Sequence, residues 1–342
     1  MHDRRANTTV NVLIAVAIIA AIAIAVFALL GIDTRGRQAE ERRRSAADPL
    51  ELPKIDPALI KYRETDSIPI PAEEVRGLAV TPDGRHVIVG DRFLEMTDAK
   101  GEAREKHPLD DRPHCVAVGD EEHVEPGRIY VGMKDHIQAF DPQGKQLASW
   151  QTLGENANIT SIATSEDDVF VADAGNRVVL RYDTEGKLLG RIGEKDDERN
   201  IPGFTITSPY FDLIVSPDGL LRVINPRKLR IEAYTFDGDL EVFWGESSPK
   251  IEGFFGCCNP THLAVLSDGR IVTAEKGVTR VKLYSSSGEL ECVVAGPEQL
   301  KLRGDDVIAD LAVDAEDRIL VLDPSAKAIR VFEPKAEEES KQ

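Results

Sequence analysis

One phrase, repeated six times, constrains this chain more than any other feature. It is clearest at residues 158–187, NITSIATSEDDVFVADAGNRVVLRYDTEGK. Three short aliphatic and β-branched runs lie within it, at 162–164, 169–172 and 178–182, and a fourth follows at 188–192. The gaps hold Glu166-Asp167-Asp168, Ala174-Gly175-Asn176 and Asp183-Thr184-Glu185-Gly186. Asp, Asn and Gly recur there because tight turns need a positive φ or a side chain that bonds its own backbone. Four short strands separated by such turns, followed by a restart of the pattern, are the signature of a propeller blade.

The six copies align on the residue that opens the first strand of each: Gly77, Cys115, Ser161, Asp212, His262 and Asp310. These openings recur every 38 to 51 residues, the length of a four-stranded blade. The sixth copy has only three strands before Pro334 and an acidic tail. The extended, alternating stretch 59–70 is expected to supply its outer strand and so close the ring, leaving no free edge. The fold class is therefore all-β: a six-bladed β-propeller of four-stranded blades, preceded by one N-terminal transmembrane helix.

The phrase resembles the NHL repeat. The third copy carries most of its consensus, with Ala172-Asp173 and Asn176-Arg177-Val178, and Arg230, Arg280 and Arg330 recur just before later third strands. The resemblance covers residues 68–334. It implies the propeller fold and leaves function open, since that fold hosts several.

Ahead of the repeats lies VNVLIAVAIIAAIAIAVFALLGI, residues 10–32, an apolar run long enough to span a bilayer as a helix. Arg4 and Arg5 precede it, so a signal peptide is the rival reading, but no small-x-small cleavage site follows. Arg35, Arg37 and Arg42 to Arg44 on its far side would hold the propeller in the cytoplasm by the positive-inside rule. The resemblance to anchored bacterial propellers implies the opposite. The expectation is a single-pass membrane protein with an extracytoplasmic, periplasmic propeller. The organisation reads as a tail (1–9), an anchor (10–32), a charged and Pro-punctuated linker (33–58), the propeller (59–334) and an acidic tail (335–342). A net charge of −18 disfavours nucleic acid as a partner.

Chemistry is expected where the inner strands begin, at the mouth of the central channel. Five of the six opening positions depart from the small residue of the consensus: Cys115, Ser161, Asp212, His262 and Asp310. They read either as a wet mouth tolerant of polar residues or as a ligand site shared between blades. A second ring, at the ends of the second strands, holds Gly90, Met133, Asp173, Asn225, Glu275 and Asp323. Its oxygens suit a hard cation, although the acid at this position also caps the following turn. The metal candidates are His262, Asp212, Asp310, Glu275 and Asp173, with Ca²⁺ or Zn²⁺ as the divalent ion. Cys257 and Cys258, in FFGCCNPTH, are candidates for a vicinal disulfide, a soft-metal site or plain thiols. Arg177 and Lys276 are expected on the same face, where they would either meet an anionic ligand or pair with nearby acids. No nucleophile elbow, phosphate-cradling Gly loop, HExxH or CxxCH is present.

The leading expectation is a membrane-anchored, non-catalytic propeller that binds a protein or a small ligand at the channel mouth. The alternatives are a metal-dependent hydrolase or lyase similar to gluconolactonase-like and amidating-lyase propellers, and a thiol-redox accessory protein using Cys257 and Cys258.

Overall fold

The computed structural model describes residues 54–302 and 306–336. The 10–32 run and the acidic C-terminal end lie outside the described residues, among which no helix is long and apolar enough to cross a membrane.

Six antiparallel four-stranded sheets follow one another along the chain. Their inner strands are Val75–Val80, Cys115–Val118, Ile159–Thr164, Leu213–Val215, His262–Val265 and Asp310–Val313. Each inner strand touches the next, and the sixth touches the first, so the blades form a closed ring. The first five blades are each built from four consecutive strands. In the sixth, the outer position is taken by Tyr62–Pro69, which pairs with Ala328–Pro334 from Tyr62 opposite Pro334 to Pro69 opposite Ala328. Arg330 reinforces this junction. Its guanidinium reaches Glu64 at 2.5 Å, Asp323 at 3.4 Å and the carbonyls of Leu300 and Gln299.

A single twisted blade has two apolar faces and cannot bury either alone. The alternation in the inner and second strands answers that need with one apolar cluster at every blade interface. Val87, Val89 and Leu94 of blade one meet Val116, Ile129 and Val131 of blade two. Ile88 and Phe93 meet Leu320, Leu322 and Ile329 across the junction between the first and last blades. Gly186 shows why the turn residue recurs. Its φ is +86°, and a Cβ there would stand 2.6 Å from the Trp150 ring of the preceding blade. Gly288, with φ +89°, meets the Trp244 ring in the same way.

Candidate binding site at the channel mouth

The ring geometry brings the opening positions together. Cys115, Ser161, Asp212, His262 and Asp310 all line one cavity of about 490 Å³, with His114, Thr160 and Tyr210. Gly77 contributes no side chain, for a steric reason. A Cβ there would crowd Val89 Cγ2 at 3.0 Å and the Val116 backbone nitrogen at 3.1 Å.

Three of these side chains also bind blade to blade. Ser161 Oγ accepts from the Leu213 amide at 3.4 Å, Asp212 Oδ2 from the Leu263 amide at 2.7 Å, and Asp310 Oδ2 from the Leu78 amide at 2.8 Å. In each case the donor is the residue just after the next blade's opening position. The other oxygens of Asp212 and Asp310 take the amides of Leu213 and Leu311 at the start of their own strands. Blade stapling is thus one role of this ring, and each carboxylate still faces the cavity with spare lone pairs.

His262 stands between the two acids. Its Nδ1 lies 3.8 Å from Asp212 Oδ2 and 3.7 Å from Asp310 Oδ1. Among the described residues, neither carboxylate forms an ion pair with Lys or Arg. Burial pushes the Asp310 carboxyl well above the usual range, and the neighbouring Asp212 charge pushes it further. Burial raises Asp212 too, with the His262 charge and the amides acting against it. Burial lowers His262, although Asp212 and a bond to the Ile308 carbonyl partly oppose this. At neutral pH the site therefore pairs a neutral imidazole with two carboxyl groups that disfavour ionising together.

The second ring does not join the first, and this corrects the metal expectation. Asp173 is fully buried and caps its own turn. Its Oδ1 accepts from Asn158, Gly175 and Asn176 amides, and its Oδ2 from Asn176 Nδ2 at 2.6 Å. Glu275 is locked between Arg280 at 2.6 Å and Lys282 at 2.7 Å. These oxygens are committed to structure, and neither residue lines the cavity. Among the described residues no group of three or more His, Cys, Asp and Glu side chains is placed to hold a metal ion. The five-residue Ca²⁺ or Zn²⁺ set does not assemble.

Arg177 is exposed at a turn with φ +58° and does not line the cavity. Lys276 does not line the cavity either, but its Nζ lies 4.5 Å from the centre of the ring of Tyr210, which does. Tyr210 in turn meets the His262 ring edge-on at 6.4 Å. Cys257 and Cys258 are free thiols, the first exposed and the second buried, so the vicinal disulfide is not formed in this structure. Cys115 and Cys292 are buried thiols. His114 Nδ1 contacts the Ile159 carbonyl at 2.9 Å. Sequence reasoning missed Tyr210, Thr207 and Ser208. They lie between strands Leu188–Ile192 and Leu213–Val215, and that unusually long connection was the available signal.

No family model matches the chain, and no curated protein matches its sequence, so the NHL reading rests on the repeat phrase alone. Solved structures do match in fold. Virginiamycin B lyase from Staphylococcus aureus aligns with TM-score 0.55 and 12% identity, over 77% of this chain and 82% of its own. A streptogramin B lyase aligns with TM-score 0.57 and 10% identity, over 82% of this chain and 100% of its own. A protein of unknown function from Bacteroides thetaiotaomicron gives TM-score 0.54 and 14% identity, over 80% and 76%. At these identities the likeness is one of fold.

Proposed function

We propose that this protein is a ligand-binding propeller, held at a membrane by the 10–32 run, whose channel mouth takes a small molecule bearing an ammonium or similar cationic group. The observation that carries the reading is the pair Asp212 and Asp310, two carboxylates on either side of a neutral imidazole in a 490 Å³ cavity, neither of which forms an ion pair with Lys or Arg among the described residues; Arg76, which also lines the cavity, pairs with Glu74 at 3.3 Å. A bound cation would relieve their repulsion and keep both ionised. His262, being neutral, would not oppose it.

The test is thermal and calorimetric titration of the full-length chain with putrescine and benzylamine, beside butanediol and benzyl alcohol as uncharged controls. The amines are expected to raise the Tm and the alcohols are not. Asp310→Asn, which preserves shape, is expected to weaken amine binding about tenfold or more, roughly 1.4 kcal/mol. Affinity should rise from pH 5 to pH 7.5, because the raised carboxyl groups must lose their protons to receive the cation. Equal responses to amines and alcohols would sink the reading. A response to Ca²⁺ or Zn²⁺ alone would replace it with a metal site.

Acid–base catalysis is a second reading, supported by one specific observation. A carboxyl group inclined to keep its proton stands 3.7 Å from an imidazole inclined to stay neutral, an acid and a base in one cavity. Lyases also stand among the fold neighbours, one of them described as catalytically inactive and bound to quinupristin. On this reading the chain converts quinupristin, and His262→Ala does not. Mass spectrometry separates elimination, which keeps the parent mass, from hydrolysis, which adds one water. An unchanged compound would end the shared-substrate version of this reading.

A further inference from the structure

The loop that carries Cys257 and Cys258 is pinned on both sides, and nothing in the channel-mouth reading uses it. Asn259 ties the loop down at both ends. Its Nδ2 donates to the Phe255 carbonyl at 2.6 Å and the Lys276 carbonyl at 3.1 Å, and its Oδ1 accepts from the Lys276 amide at 3.0 Å. Phe254 anchors the loop on the other side, fully buried against Trp244 and Tyr284. Between these anchors the backbone takes left-handed conformations at Gly256 and Cys258, with φ +84° and +62°. That conformation is unfavourable for a residue with a Cβ and is kept only where the surroundings enforce it.

The result is a division of labour between adjacent thiols. Cys257 is exposed, whereas Cys258 is 6% exposed and its Sγ lies 3.5 Å from Thr207 Oγ1. Lys276 stands over Tyr210, its Nζ 4.5 Å from the ring centre. Burial by itself would raise the Cys258 thiol. The Thr207 hydroxyl, the Lys276 charge and the neighbouring Cys257 thiol act against it, and the group ends below its ordinary value. Cys115, by contrast, is driven well above its ordinary value, chiefly by burial, and Cys292 to about 11. Of these three buried thiols, only at Cys258 do the groups that favour the thiolate outweigh burial.

We propose that Cys257 and Cys258 form a thiol–disulfide exchange site, with Cys258 as the attacking thiolate and Cys257 as the resolving thiol. The substrate class is a small or exposed disulfide, RS–SR. The Cys258 thiolate attacks one of its sulfurs, forming Cys258–S–SR and releasing RS⁻. The Cys257 thiolate then attacks Cys258 Sγ, closing a bond between the two cysteines and releasing the second RS⁻. Two protein thiols are oxidised, one disulfide is reduced to two thiols, and the two protein protons leave to solvent or to the departing thiolates. Thr207 and Lys276 are positioning residues that steady the Cys258 thiolate.

The experiment uses the reduced full-length chain in mild detergent, with oxidised glutathione as the probe, followed by mass spectrometry and peptide mapping. The wild-type chain is expected to release two thiols per chain, retain no glutathione, and lose two hydrogens in the peptide holding Cys257 and Cys258. Cys257→Ser should stop at a retained glutathione adduct on Cys258. Cys258→Ser should react about tenfold more slowly or worse, since the activated thiolate is gone. Lys276→Met should slow the first step about threefold or more without changing the final product. A stable adduct on wild-type Cys257, or a Cys258→Ser chain that reacts as fast as wild type, would overturn the assignment. So would glutathione retained on both cysteines. Folding of each variant is checked by its Tm, so a slow variant with an unchanged Tm counts as support and a slow, unfolded one is replaced by Cys258→Ala.

Discussion

Deleting residues 59–70 is expected to abolish the folded propeller rather than trim it. The segment buries Tyr62, Ile68 and Ile70 at 4%, 4% and 1% exposure. At about 2 kcal/mol for each buried side chain, they contribute roughly 6 kcal/mol, comparable to the whole stability of many domains. The deletion also strips the ladder partner from Ala328–Pro334, turning a paired strand into an exposed edge. It leaves Arg330 without Glu64 while Asp323 stays buried beside it. Circular dichroism and size-exclusion chromatography read the outcome. Loss of a cooperative transition, or aggregation, is expected. A soluble monomer with the wild-type Tm would show that the ring does not depend on its closing strand. Ile68→Asp should move in the same direction with a smaller effect.

Glu275→Gln is expected to cost about 3–5 kcal/mol, because it leaves two buried cations without their anion. Arg280 and Lys282 have side chains only 4% and 0% exposed, and Glu275 holds both. The Lys282 ammonium has further support from the Ile251 and Gly253 carbonyls at 3.0 and 2.8 Å, and it faces the Phe254 and Tyr284 rings. Even with these partners, burial draws Lys282 down from 10.5 to about 8. The pH dependence follows from that direction. Between pH 8 and pH 10.5 the unfolded chain holds this proton and the folded chain does not, so Lys282 makes stability rise with pH across that window. Above pH 10 the buried tyrosines act the other way, with Tyr62, Tyr130 and Tyr182 raised to about 12 by burial. The measurable window is therefore pH 8 to 10. Urea melts should show the rise in the wild-type chain and its loss in Lys282→Met. Adding Lys282→Met to Glu275→Gln should recover part of the lost stability, since one stranded charge is removed. If Glu275→Gln melts like wild type yet fails to bind ligand, Glu275 belongs to the site and its structural assignment is wrong.

These two cases mark where sequence reading succeeds and where it stops. On sequence alone Glu275 and Asp173 read as metal candidates, because an acid at the end of a second strand looks the same whether it faces a channel or a neighbouring turn. The distinction depends on what surrounds the carboxylate. For Glu275 that means Arg280 and Lys282, five and seven residues on, and for Asp173 it means the amides of its own turn. Place in the repeat groups Arg177 with Lys276, yet the structure puts Lys276 over Tyr210 and leaves Arg177 at an exposed turn. The polar opening positions fared differently. Their alignment within the repeat was enough to place Cys115, Ser161, Asp212, His262 and Asp310 around one mouth, because equivalent positions of equivalent blades must face the same axis.

By itself, the sequence determined the blade: four strands, their turns, the inward positions, and a sixth copy one strand short. All of these are set by alternation and turn chemistry within a few tens of residues, where side-chain period and backbone preference act locally. Only the tertiary structure decided which oxygens remain for chemistry. Asp310 reaches the Leu78 amide across 232 positions of sequence. His262 comes between acids from the blade before it and the blade after it. Thr207 reaches Cys258 from a loop that carries no repeat signal. Those distances exist only once the ring has closed, and burial within the ring moves the proton affinities that give the mouth its character.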